Sequence, residues 1–285
     1  MPGESVPALP MPALVAFAGV LGACLGSFLN VVIGRVPAGE SIASPGSRCP
    51  RCKAPIAWYD NVPIVSWMLL RARCRRCGQP ISVRYPIVEA LGAVAALAAL
   101  ARHGVSLEAA AELSLALLLL ALALIDLDTW LLPHALTWPL IALGLGASAA
   151  GLTAAGGFRS SALGAAVGFA SFSALAWIAK KIAGREALGF GDVWLLAGIG
   201  AWLGLAALLP VVMLASVQGA VVGLLLVAAG RAQKGEEGGG KAQPDGWVPP
   251  RNAVPFGPFL VLAALEWLYA SGPIASVLPV LEAFR

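Results

Sequence analysis

From Val193 to Ala229 the chain runs for 37 residues without one charged side chain. A helix crosses the hydrocarbon of a bilayer in about 20 apolar residues. This stretch is therefore too long for a single span and is expected to fold back on itself. Pro210 lies near its middle and is the natural corner, which gives spans over 193–209 and 211–229. Further apolar runs at Pro12–Ile33, Pro86–Ala101, Leu107–Ile125, Leu131–Ala150, Ser160–Ala179 and Ala253–Ile274 bring the expected number of spans to about eight. Composition agrees. Hydrophobic residues make up 59 % of the chain and charged residues 12 %, whereas a soluble domain carries about 25 % charged residues. The expected fold class is an all-α polytopic membrane bundle.

The first run is expected to be a retained span with its N-terminus outside. Glu4, not a basic cluster, precedes it, and the run is longer than the apolar region of a signal peptide. With that start, the inner segments are 34–85, 126–130, 180–192 and 230–252, and they hold 16 of the 19 Lys and Arg residues. Only Arg102, Arg159 and Arg285 fall outside, so the positive-inside rule supports this orientation. Because the basic residues sit in loops between apolar runs, and not on a face interleaved with aromatics, nucleic acid is not an expected partner. Membrane lipid is.

Two inner segments differ in kind. Residues 34–85 are numerous enough for a small folded cytoplasmic insertion between the first span, 12–33, and the remaining membrane core, 86–274. Residues 230–252, rich in Gly, Lys, Glu, Gln and Pro, read as a flexible linker.

The insertion holds Cys49-Pro-Arg-Cys52 and Cys74-Arg-Arg-Cys77, separated by 21 residues. Paired CxxC motifs at about this spacing are a zinc signature, and Lys53 and Gly78 follow each pair where a knuckle turn is needed. Two disulfides or a redox pair are the other readings, but stable disulfides are rare in the cytoplasm. Cys49, Cys52, Cys74 and Cys77 are thus expected to hold a structural zinc ion with no open coordination position. Arg48, Arg51, Arg73, Arg75 and Arg76 would offset its negative charge. Cys24, in the first span, reads as a small buried hydrophobe.

An ionisable group in a membrane span is a functional candidate by default. The acids in or beside spans are Glu89, Asp126, Asp128, Asp192 and Glu266. Asp126 and Asp128 end the third span on its inner side, and Asp192 starts the sixth on the same side. Topology alone therefore places them at one depth. Two adjacent carboxylates share a proton, so one can act as base toward water while the other acts as acid toward a peptide carbonyl. Asp192 has a second reading as a helix cap, and Asp128 reads as a solvated interfacial acid. Glu89 and Glu266 read as bundle-pairing acids. The glycines of Gly189-Phe190-Gly191-Asp192 leave room for a substrate backbone. With only His103 and His134, a histidine-based hydrolase is not expected. On this chemistry alone, an Asp126/Asp192 pair serves a protease and a proton- or cation-coupled transporter equally well.

The Gly-Phe-Gly-Asp segment matches a GxGD motif, and here the chain resembles the bacterial type IV prepilin peptidases, which are leader peptidase/N-methyltransferases. Gly26-Ser27-Phe28-Leu29-Asn30-Val31-Val32 is similar to the family's first-span signature. Arg84-Tyr85-Pro86-Ile87-Val88-Glu89 is similar to its entry to the second span, and Pro255-Phe256-Gly257-Pro258 to its late PFGP element. The family often has Asp or Asn where His134 stands. The resemblance implies that Asp126 and Asp192 are catalytic, that basic leaders of prepilins and pseudopilins are cut on the cytoplasmic side, and that the new amine is methylated from S-adenosylmethionine. Glu89 is then a candidate to bind that amine. Glu186 and the basic loops are candidates to contact the leader.

Overall fold

The structure is a computed structural model that describes residues 10–183, 189–229 and 254–284. Glu186 and the linker 230–252 lie outside the described residues. Nine α-helices are present among them: α1 (Met11–Arg35), α2 (Val65–Leu69), α3 (Arg84–His103), α4 (Leu107–Thr129), α5 (His134–Ala149), α6 (Phe158–Ala183), α7 (Phe190–Leu203), α8 (Leu208–Ala228) and α9 (Gly257–Val277). The described residues form no strand, only two isolated bridges. All eight expected apolar helices are found. Six of them, α1, α3, α4, α6, α8 and α9, have the length and composition to cross a membrane, so the chain is a multi-pass membrane protein. The other two are shorter. At 1.5 Å per residue, α5 and α7 are about 24 and 21 Å long, less than a hydrocarbon core of about 30 Å.

The corner in the long uncharged stretch lies earlier than expected. Helix α7 stops at Leu203, Gly204 turns with a φ of +83°, and α8 begins at Leu208. Pro210 sits in the first turn of α8, where its missing N–H breaks no helical bond. The glycine makes the turn and the proline starts the next helix.

Contacts divide the chain into two compact units, Met1–Leu117 and Leu118–Arg285. In the first, α1 lies against α3 through glycines. A Cβ on Gly26 would lie 2.7 Å from the Glu89 Cα, and one on Gly22 would lie 2.7 Å from the Ala96 Cβ and collide with the Gly92 carbonyl. In lipid, where apolar burial drives nothing, such close backbone contact supplies the attraction between helices. Asn30 Nδ2 adds a hydrogen bond to the Tyr85 carbonyl at 3.2 Å. Nearby, Glu112 of α4 was not singled out from sequence. It is buried, and its Oε2 accepts hydrogen bonds from Arg102 Nη1 (2.7 Å) and His103 Nε2 (2.8 Å).

In the second unit, α7 is the centre. From Asp192 to Leu203 all but Trp194 of its residues are buried, as befits a helix that is apolar all round. Gly164 of α6 meets Gly200, and Gly168 meets Leu196, at backbone contact. On the α5 side Trp202 Nε1 donates to the Leu140 carbonyl at 2.7 Å. Helices α8 and α9 are tied by Gln218 Nε2 donating to Glu266 Oε2 at 2.5 Å, so Glu266 is a pairing acid, as expected.

Candidate active site

Helix α4 ends just past Asp126. Thr129 Oγ1 bonds back to the Ile125 carbonyl at 2.8 Å, and Trp130 takes a φ of +57° that stops the helix. Helix α7 begins at Phe190 with Gly189 as its N-cap in extended conformation. Asp192 is the third residue of that helix and Gly189, not Asp192, holds the N-cap position, so the capping reading does not describe it. The two aspartates are only 5 and 7 % exposed.

They meet at α9. A Cβ built on Gly257, the first residue of that helix, would collide with Oδ2 of Asp126 and lie 3.5 Å from Oδ1 of Asp192. The Gly257 backbone also hydrogen-bonds the Asp126 carboxylate. Two buried carboxylates thus face one point, and only a residue without a side chain leaves that point open. Gly257 was noted in the late PFGP segment, but nothing in the sequence placed it between the two acids. Asp128 is exposed, in keeping with an interfacial acid.

The two glycines before Asp192 differ in role. A Cβ on Gly189 would meet only Asp192 Oδ2, at 3.4 Å, so that position stays open. A Cβ on Gly191 would lie 2.7 Å from the Leu132 Cβ. Its space is therefore taken by Leu132 and is not room for substrate. His134 is exposed and its ring lies 5.5 Å from that of Trp194 and 5.7 Å from that of Trp138.

In the first unit, Glu89 is buried and its Oε2 accepts the Ile64 backbone N–H at 2.6 Å. It pins the insertion to α3. The insertion itself contains two matched knuckles. In one, the Cys49 amide donates to the Ala54 carbonyl and the Lys53 amide to the Cys49 carbonyl. In the other, Cys74 pairs with Gln79 and Gly78 with Cys74 in the same way. Lys53 and Gly78 both have positive φ, +58° and +67°, which closes each turn. All four sulfurs lie within 4.8 Å of one another, with Cys49 and Cys77 Sγ 3.9 Å apart. Tetrahedral zinc with Zn–S bonds of about 2.3 Å needs sulfurs about 3.8 Å apart, so the set fits one metal ion and not two bonded pairs. The amides of Cys52 and Arg51 draw the Cys49 thiol down to about 6, toward the thiolate a metal requires. Asp60 and Arg75 brace the second knuckle through two hydrogen bonds, at 2.7 and 2.8 Å.

Residues 20–103 match the Bacterial Peptidase A24 N-terminal domain, and residues 113–224 match the Type IV leader peptidase family. The prepilin leader peptidase/N-methyltransferase of Myxococcus xanthus (strain DK1622) is 43 % identical, with 98 % of this chain and 97 % of that protein covered. The protein of the same name from Burkholderia pseudomallei (strain 1026b) is 36 % identical over 93 % of this chain and 88 % of its own length. That from Klebsiella pneumoniae is 44 % identical over 70 % of this chain and 90 % of its own length. No solved structure matches the chain. The matched regions take in the cysteine knuckles and both buried aspartates, and the M. xanthus likeness runs the full length; this chain belongs to the type IV leader peptidase family.

Proposed function

We propose that Asp126 and Asp192 are the catalytic dyad with which this membrane enzyme cuts the leader from prepilins and pseudopilins at the cytoplasmic face of a bacterial inner membrane. The observation that carries this reading is the convergence of two buried carboxylates on the open point at Gly257. One carboxylate takes a proton from water, which attacks the scissile carbonyl. The other, protonated, hydrogen-bonds the carbonyl oxygen and later supplies the proton for the leaving amine. The pair acts as a unit, so neither residue has a fixed role. The excess of basic residues in the inner segments supports the cytoplasmic placement. Nothing in the relatives favours the transporter reading.

The enzyme is also an N-methyltransferase, as its relatives are named. The cavity beside α8 and α9 is not a cradle for an adenosyl methyl donor. Its volume is about 480 Å³ and it is lined by Gly219, Gly223, Val254, Phe256 and Phe259, with only the Ser216 hydroxyl to engage a polar ligand. Glu89 has already given an oxygen to Ile64. Methylation therefore stands on family membership alone.

Residues 34–85 form the zinc-binding insertion and 86–274 the peptidase core. Cys49, Cys52, Cys74 and Cys77 hold the zinc. Four thiolates leave the ion no open position, so it cross-links the two knuckles and takes no part in peptide hydrolysis. Changing Cys74 to Ser is expected to reduce bound zinc from a single ion per chain to none, read by elemental analysis, and to speed proteolysis within 34–85.

Mass spectrometry of a prepilin incubated with the purified protein tests the whole reading. Loss of the leader is expected, followed by gain of one methyl group when S-adenosylmethionine is added. Intact prepilin after prolonged incubation would overturn it.

A further inference from the structure

Helix α2 turns its apolar face outward. Val65, Met68 and Leu69, at i, i+3 and i+4, share one side of it. Met68 is 66 % exposed and Leu69 78 %. Its inward side is well held. Ser66 is buried, with its hydroxyl donating to the Tyr59 carbonyl at 3.0 Å and accepting from the Val62 amide at 3.1 Å. Trp67 Nε1 donates to the Ile81 carbonyl at 3.1 Å. The outward face is thus fixed by packing and not by fraying. Trp58, 83 % exposed, lies on the adjoining turn, whose Tyr59 carbonyl takes that Ser66 bond. An apolar patch kept on a surface in this way marks a contact with something apolar.

Depth identifies the partner. Helix α3 has 20 residues, about 30 Å, so it spans the hydrocarbon only with its ends at the two interfaces. Glu89 lies about 7.5 Å along that helix from Arg84, and it bonds the amide of Ile64, the residue that caps α2. The start of α2 is therefore held at the level of the first turns of a membrane span. The charge fits as well. Residues 34–85 carry nine Lys and Arg against two acids, and Arg71 and Arg73, just after α2, are exposed.

We propose that α2 is an interfacial anchor: Val65, Met68 and Leu69 lie in the headgroup layer of the bilayer, and Arg71 and Arg73 hold anionic lipid headgroups beside them. A short helix with an apolar outer face, aromatic neighbours and flanking arginines is suited to this layer. The anchor fixes the height of the insertion above the bilayer whichever substrate the enzyme cuts.

The test uses full-length protein in nanodiscs of phosphatidylcholine with phosphatidylglycerol. The chain has four methionines. Labelling their methyl groups with carbon-13 gives Met68 a resolvable signal, assigned by its loss in Met68→Leu. A lipid bearing a nitroxide near its headgroup is expected to broaden that signal more than a water-soluble gadolinium chelate does. The reverse ratio would place α2 in water, and no broadening by either agent would place protein over it; each overturns the proposal. Omitting phosphatidylglycerol, or making Arg71→Gln with Arg73→Gln, is expected to reduce the lipid-dependent broadening. Unchanged broadening in both would overturn the anionic-lipid part.

Discussion

Replacing either Asp126 or Asp192 with Asn is expected to lower prepilin cleavage by about 10³-fold or more, the scale on which proton-transfer groups that act together fail. Asn matches Asp in shape, so neither change opens a cavity. It removes only the capacity to carry the proton. Because the acids act as a unit, the double variant is expected to be no slower than the slower single variant. Asp128→Asn, two residues away but exposed, is expected to cleave at close to the unaltered rate. Methylation of a pilin supplied without its leader reports whether the variants are folded, and it should persist in all of them. Full cleavage by either single Asn variant would show that the carboxylates do not perform the hydrolysis.

Much of this architecture could be read from local pattern. Apolar runs of span length, counted together with the basic loops, were enough to find all eight apolar helices and to put Asp126 and Asp192 at one depth. The cysteine spacing was enough to foresee a four-sulfur cluster, because each knuckle is built from residues next to one another in sequence. Features set by tertiary contact were not legible. The break in the long uncharged stretch was assigned to Pro210, yet a first-turn proline costs a helix nothing, and the turn falls at Gly204. Gly191 looked like room for substrate, but Leu132 fills that room, and only the packing of the α4–α5 connection against α7 reveals it. Glu112 escaped notice because its partners, Arg102 and His103, belong to a different helix. Gly257 is the sharpest case. Its PFGP segment stands out only by resemblance and says nothing of the acids, and its role appears only once α4, α7 and α9 are brought together.

That position leads to the second large effect. Gly257→Ala is expected to lower the cleavage rate by about 10²-fold, the cost of moving a reacting group by about 1 Å. The argument depends on which part of the residue matters. Gly257 is not among the glycines with positive φ, so an alanine meets no backbone strain there. At the first residue of α9, alanine is also the better helix former. The main-chain group of residue 257 that bonds Asp126 is itself unaltered by the change. What the substitution adds is one methyl group, and that methyl falls on Oδ2 of Asp126, with Oδ1 of Asp192 3.5 Å away. A carboxylate must move aside, and the point where water and the scissile carbonyl would meet is filled. The expected signature is a fall in kcat with little change in KM and with thermal unfolding in detergent at or above the unaltered temperature. A variant that is both destabilised and slow would place the role of Gly257 in folding. A variant that cleaves at the unaltered rate would mean that the open point between the aspartates is not where the peptide bond is cut.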